Sequence, residues 1–199
     1  PVSCVAPPGG LVGCWPLDQS IGELTYDYTI NGWHGIISRS PAQGVFTTGY
    51  KNGAMVFNGI NSAVRVPYAS ALNPLRFTVA LWAKVTGGDN TRRTAVSSFP
   101  AGGYKGFAIY ADPVQYPNVW RAVFGDGSSW KYTLGSNVCV TLGKWTHLAM
   151  VYDPNADPKC RLYVDGVYVQ SSNSAITVNN DTAGFFKIGC GGAGNTDAD

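Results

Sequence analysis

The chain has 199 residues, 45% of them hydrophobic, with 13% charged residues and a formal net charge of +2. That length suits a single β domain able to bury a core. The sparse charge, with Arg92-Arg93 the sole adjacent basic pair, excludes a nucleic-acid footprint, and no run approaches the roughly 18 apolar residues of a membrane-spanning helix.

Residues 1–10, rich in Pro and Gly, read as a lead-in, and 11–199 as one domain. No signal-peptide pattern precedes Pro1, so any such segment was removed or never included. Leu11-Val-Gly-Cys-Trp-Pro-Leu17 reads as a first strand, and Asp18 to Ile37 as loop, because Thr, Asn and Gly cluster there. Further strands are predicted over 43–48, 53–58, 62–67, 76–85, 93–99, 105–111, 119–125, 129–134, 145–153, 160–164, 167–171 and 184–190. Turn signals separate them: Asn58-Gly59, Gly87-Gly88-Asp89, Gly102-Gly103, Gly125-Asp126-Gly127 and Asp165-Gly166. Leu72-Asn73-Pro74 suits one short helical turn, and no stretch carries a helical period.

Two stretches set the fold class. Phe77, Val79, Leu81, Ala83 and Val85 alternate with Thr78, Ala80, Trp82 and Lys84, so one face is core and the other mixed. From Trp145 to Asp153, and again from Cys160 to Val169, aromatic and β-branched residues read as consecutive antiparallel strands. Asp165-Gly166 sits where a type I′ turn needs positive φ twice, which pairs Val164 with Val167 and Tyr163 with Tyr168. Many short strands without helices predict an all-β, two-sheet antiparallel jelly-roll sandwich.

Cys4, Cys14, Cys139, Cys160 and Cys190 contain no CxxC pair, which argues against a structural zinc site and for an extracellular protein with disulfides. The turn-forming Pro7-Pro8-Gly9-Gly10 makes Cys4–Cys14 a candidate pair. The intervening Trp145–Asp153 strand separates Cys139 from Cys160 beyond the roughly 7 Å that a disulfide tolerates. Five is odd, so one thiol is free or its partner lies outside this chain.

Several segments together resemble the laminin-G-like branch of the concanavalin-A-like jelly rolls. They are Leu11–Asp18, Asp27–Gly35, Gly53–Gly59 with Ala63–Pro67, Phe77–Ala83, Gly143–Ala149, Arg161–Gly166 and Phe186–Gly189. The resemblance implies burial for Trp15, Trp82 and Trp145. It also implies a final strand of Asp-Glu-Val type after Ile188-Gly189, where this chain reads Gly-Gly-Ala-Gly-Asn up to Asp199; a missing closing strand would leave the first strand an exposed edge.

Relatives with this fold include glucanases, whose retaining chemistry needs two carboxyl groups about 5–5.5 Å apart. Glu23 is the single glutamate, and no acidic residue recurs at i, i+2 or i, i+4 along a core strand. No Gly-x-Ser-x-Gly elbow occurs. A polysaccharide lyase would draw on His34 or His147 beside a Tyr and an Arg, and for both histidines a structural role is the expected one. Asp27-Tyr-Thr-Ile-Asn31-Gly32 offers oxygens of the kind a structural calcium takes, and some members of the resembled family carry one. Asn58 stands where an aspartate is frequent in those members. The competing expectation is a turn in which Asp27 and Asn31 bond their own backbone.

The stretch from Asp89 to Gly135 departs most from the family and concentrates Tyr104, Tyr110, Tyr116, Trp120, Trp130 and Tyr132 among Gly, Ser, Asn and Asp. Flat amphipathic rings stack on the C–H faces of sugars while polar side chains bond hydroxyls. The sequence therefore predicts a non-catalytic carbohydrate-binding module of a secreted or cell-surface protein. Tyr104, Tyr110, Tyr116, Trp120, Arg121, Asp126 and Trp130 would form its glycan platform on the concave sheet or its rim. Weak binding per site would be reinforced by avidity within a larger multidomain protein. The rival expectation is a protein-interaction, adhesion or spacer domain, marked by a contiguous surface patch instead.

Overall fold

Asp165 and Gly166 both take left-handed φ, 50° and 79°, as a two-residue type I′ turn requires. The resulting register pairs Val164 with Val167 and Tyr163 with Tyr168, as the sequence predicts. The computed structural model describes residues 9–38, 45–87, 91–100, 103–113, 119–132 and 138–191.

Strands are numbered in chain order. β1 (Leu24–Thr25), β2 (Gly35–Ser38), β5 (Ala63–Pro67), β14 (Phe185–Ile188), β7 (Arg93–Ser97), β8 (Phe107–Asp112), β9 (Val119–Gly125) and β10 (Trp130–Tyr132) form an eight-stranded sheet in that spatial order. β13 (Val167–Ser172), β12 (Cys160–Val164), β11 (Thr146–Tyr152) and β6 (Phe77–Ala83) form a four-stranded sheet. β3 (Val45–Thr48) and β4 (Gly53–Val56) make a separate hairpin. Every strand pairing is antiparallel.

The core lies between the two sheets. The four-stranded sheet contributes Leu148, Met150, Leu162 and Val164, and the eight-stranded sheet Val64, Val66, Phe107, Ile109, Trp120 and Phe124. Phe77 crosses the layers to stack on Phe107, ring centroids 4.8 Å apart. Phe77, Val79, Leu81, Ala83 and Val85 all pack against this cluster, as their alternation predicts. Burial alternates along β6, β11 and β12 of the four-stranded sheet, whereas β8 and β9 of the eight-stranded sheet are buried on both faces; the two inner faces together enclose the core of the sandwich.

The sequence misplaces the beginning of the sandwich. Leu11–Leu17 forms no strand: Pro16 has no N–H to donate, Leu17 takes φ 58°, and the Cys14 N–H goes to the Asp27 side chain rather than to a ladder. Conversely, β1 and β2 lie in the stretch predicted as loop. The helical turn exists as a 3-10 turn over Ser70–Leu72, slightly ahead of its predicted place, since Pro74 blocks continuation.

Cys139, exposed, and Cys160, buried, are free thiols, so no Cys139–Cys160 bridge exists. Cys4, the suggested partner of Cys14, lies outside the described residues, as do residues 192–199, where the resemblance would place a closing strand.

Candidate functional site

The aromatic stretch builds a small shelf at the open edge of the eight-stranded sheet. Gly125 ends β9 opposite Trp130 of β10. A Cβ at Gly125 would collide with the backbone of Tyr104 and Lys105, so only glycine lets that segment cross the strand end. The crossing is laced by backbone hydrogen bonds. Gly127 N–H donates to Tyr104 C=O (2.7 Å), Gly125 N–H to Gly106 C=O (2.9 Å), and Gly106 N–H to Thr177 C=O (2.8 Å).

This lacing sets the Tyr104 ring edge-on to Trp130, centroids 5.7 Å apart at 78°. Trp130 in turn lies against Phe99, at 4.3 Å, and is half-buried, whereas Tyr104 remains 45% exposed. Polar groups border the pair. Lys105 Nζ donates to Asn180 Oδ1 (2.7 Å), and Lys131 pairs with Asp126 (3.2 Å). A crevice lined by Asn73, Phe77, Ser98, Gly106 and Asn179 opens at the same end of the sandwich.

The shelf unites Tyr104 and Trp130 with Asp126, although Asp126 chiefly shapes its own turn. Its Oδ1 accepts from Ser128 N–H, Ser128 Oγ–H and Ser129 N–H. These bonds, with help from Lys131, hold its carboxyl well below the usual carboxylate range. The remaining predicted platform residues do not join them at the surface. Trp120 is 1% exposed within the core; a ring sealed between two sheets offers no face to a ligand, which corrects its assignment to the platform.

Tyr110 and Arg121 point to the outer face of the eight-stranded sheet but are each 3% exposed. Arg121 pairs with the fully buried Asp112 (Nε to Oδ2, 3.4 Å), and Arg92 approaches the same carboxylate at 4.0 Å while lying 5.6 Å over the Tyr110 ring. Burial pushes the Tyr110 hydroxyl up to about 12. The cluster is thus a buried polar network, and their assignment to an exposed platform is corrected on that ground. Tyr116 lies outside the described residues, and so does the side chain of Tyr132.

The suggested calcium ligands are committed elsewhere. Burial raises the cost of ionising Asp27, but four donors outweigh it and hold its carboxyl below the ordinary value. Its Oδ1 accepts from Cys14 N–H (2.9 Å) and Thr29 N–H (3.0 Å), and its Oδ2 from Thr29 Oγ–H (2.7 Å) and Trp33 N–H (3.0 Å). Asn31 donates its amide to Val12 C=O. Asn58 Oδ1 accepts from Ile60, Asn61 and Ser62 N–H within its own turn. The N–H and O–H donors aimed at the Asp27 and Asn58 oxygens are the wrong sign for a cation neighbour, and the Asn31 oxygen by itself falls far short of the roughly 6–8 oxygen ligands calcium takes, so the set does not fit a calcium ion. Among the described residues no group of three or more His, Cys, Asp or Glu could hold a metal.

Sequence reasoning overlooked Trp82. The resemblance implied its burial, yet it is 41% exposed on the outer face of the four-stranded sheet. The plain alternation of β6, which sets Trp82 opposite the core face, was the signal that places it correctly. Trp15 does pack against the core, stacked on Phe186 at 5.4 Å, and Trp145 is half-buried under Lys84.

A two-sheet antiparallel sandwich with this core defines a lectin-like β-sandwich domain. Residues 57–199 match the family described as the concanavalin A-like lectin/glucanases superfamily, in its laminin-G-like branch, and the chain belongs to that family. Its fold is also similar to that of a solved carbohydrate binding module, CBM66 from Bacillus subtilis, at 12% identity and a TM-score of 0.47. That similarity covers 72% of this chain and 82% of the other. The sequence matches no curated protein.

Proposed function

We propose that this domain is a non-catalytic carbohydrate-binding module of a secreted or cell-surface protein, taking glycan at the Tyr104–Trp130 shelf. The observation that carries this reading is the exposed Tyr104 ring, locked edge-on to Trp130 by a backbone crossing that only Gly125 permits. Two aromatic planes at 78° offer one ring to the apolar face of a sugar while the other walls its side. Lys105, Asn180 and Lys131 stand at the border to bond hydroxyls. Such a shallow shelf binds weakly by itself, which suits repeated engagement of a polymer by a larger protein.

A lyase reading gains no support from the histidines. The His34 Nδ1 accepts from Asp27 N–H (3.1 Å), and its ring lies edge-on to Tyr26. His147 lies against Trp82 at 5.2 Å. Neither contact brings an arginine. Affinity electrophoresis in gels containing soluble polysaccharides tests the proposal. The wild type is retarded by at least one polymer, and Tyr104→Ala and Trp130→Ala abolish that retardation; unchanged migration of both variants would refute the shelf.

A further inference from the structure

The outer face of the four-stranded sheet carries a second aromatic surface, pointing away from the shelf across the core. The register places Ala80, Ala149, Tyr163 and Tyr168 in one cross-strand row. At interstrand spacings of roughly 4.8 Å this row spans about 14 Å. The two alanines make a low floor. Tyr163 and Tyr168 rise at one end, ring centroids 5.9 Å apart. Trp82 and His147 stand opposite each other one step along the strands, and Tyr50, from the turn after β3, stacks on Trp82 at 3.5 Å and 11°.

The charge on this face is lopsided. Asp165 is matched by Lys144 at 3.0 Å. Arg161 stands on the same face of β12 as Tyr163, directly opposite Ser171, whose Oγ accepts from the Tyr168 hydroxyl (2.7 Å). Its Nε is shielded from solvent and has no hydrogen-bond partner. Lys84 lies 4.9 Å from the Trp145 ring centroid, and among the described residues neither Lys84 nor Arg161 is in an ion pair. The shielded Nε is out of a surface ligand's reach, but Arg161 is only partly buried, and the planar fork of a guanidinium matches a carboxylate.

We infer that this face binds an acidic polysaccharide, a chain of uronate sugars whose rings lie over the Ala80–Ala149 floor against Tyr163, Tyr168 and Tyr50. Arg161 takes a carboxylate, and Lys84 attracts the chain from the far side. The surface stands independently of the Tyr104–Trp130 shelf, because the two face opposite sides of the sandwich.

Affinity electrophoresis of the full chain with polygalacturonate, alginate and the neutral polymer dextran tests it. Polygalacturonate or alginate retards the wild type, less so as salt rises, and dextran does not. Arg161→Gln, Tyr168→Ala and Lys84→Gln each weaken the apparent affinity about tenfold, the scale expected for a charge-assisted hydrogen bond. Tyr28→Ala, an exposed tyrosine elsewhere, migrates as the wild type. Thermal melting of each variant shows which are folded; if Arg161→Gln is not, the two surface variants carry the comparison. Absence of retardation by both uronans, equal retardation by dextran, equal loss in Tyr28→Ala, or unchanged affinity in the folded variants would overturn the inference.

Discussion

Tyr163 and Tyr168 face each other across the Asp165–Gly166 turn, their rings 5.9 Å apart at 67°. Two adjacent residues with positive φ fix this register, and the register decides which side chains of β12 and β13 reach solvent. On the opposite side of the sandwich, Gly125 plays the corresponding part for Tyr104. In both places backbone geometry comes first, and the aromatic surface follows from it.

The separation between core and shelf is visible in stability. Trp120→Ala removes a ring that is 1% exposed and should destabilise the domain by about 3–5 kcal/mol. Tyr104→Ala, at 45% exposure, should leave the urea midpoint near that of the wild type. Chemical denaturation of the two variants distinguishes them; equal losses would contradict the placement of Trp120.

Alkali should weaken the fold well before it harms an exposed-tyrosine protein. Burial pushes the Tyr110 hydroxyl up to about 12 from 10.0, and the Cys160 thiol up to about 12 from 9.0. In both cases the native state keeps a proton that the unfolded chain gives up. Stability is therefore complete below pH 9 and falls as pH rises from 9 to 12. Tyr110→Phe and Cys160→Ala should each flatten part of that decline in thermal melts across this range. A decline of wild-type steepness in both variants would contradict the assignment.

The Asp27 loop gives the reverse dependence. Its four hydrogen bonds hold the carboxyl below the ordinary value against the effect of burial, so its contribution is present above the unfolded pKa of about 3.9. It is lost as pH falls through the lower folded value. Asp27→Ala orphans the N–H groups of Cys14, Thr29 and Trp33, each worth about 1–3 kcal/mol when buried. A loss of at least about 2 kcal/mol at pH 7, unaffected by added calcium or chelator, is the expected result of denaturation experiments. Wild-type stability that rises with calcium would contradict the loop's self-sufficiency.

Much of this architecture is legible in residue order because alternation and turn chemistry act locally. β6 and β11 announce their faces by period, and Asp165-Gly166 announces its turn. What escaped has identifiable causes. In β9, Val119-Trp-Arg-Ala-Val-Phe-Gly125 is buried on both faces, because Arg121 on the outer face is itself buried against Asp112; the sequence shows that face as open, and only the pairing with β8 brings Asp112 and Tyr110 there to close it. β1 is only Leu24–Thr25, too short for any period, and it forms because Gly35 lets Thr25 and Val64 pack where a side chain would stand. Trp82 faces outward because the period of its own strand, rather than family likeness, sets its side. The shelf was half legible: the aromatic cluster at 104–132 is plain in sequence, whereas the Gly125 crossing that selects Tyr104 and Trp130 arises only in three dimensions.

The central claim is that Tyr104 and Trp130 together hold a glycan. Isothermal titration with the polysaccharide that retards the wild type, carried out on the wild type, Tyr104→Ala and the conservative Tyr104→Phe, tests it most directly. The account predicts at least about a tenfold loss of affinity for Tyr104→Ala, within the range of aromatic contacts, near-complete retention in Tyr104→Phe, and unchanged melting temperature in both. Wild-type affinity in Tyr104→Ala would contradict it.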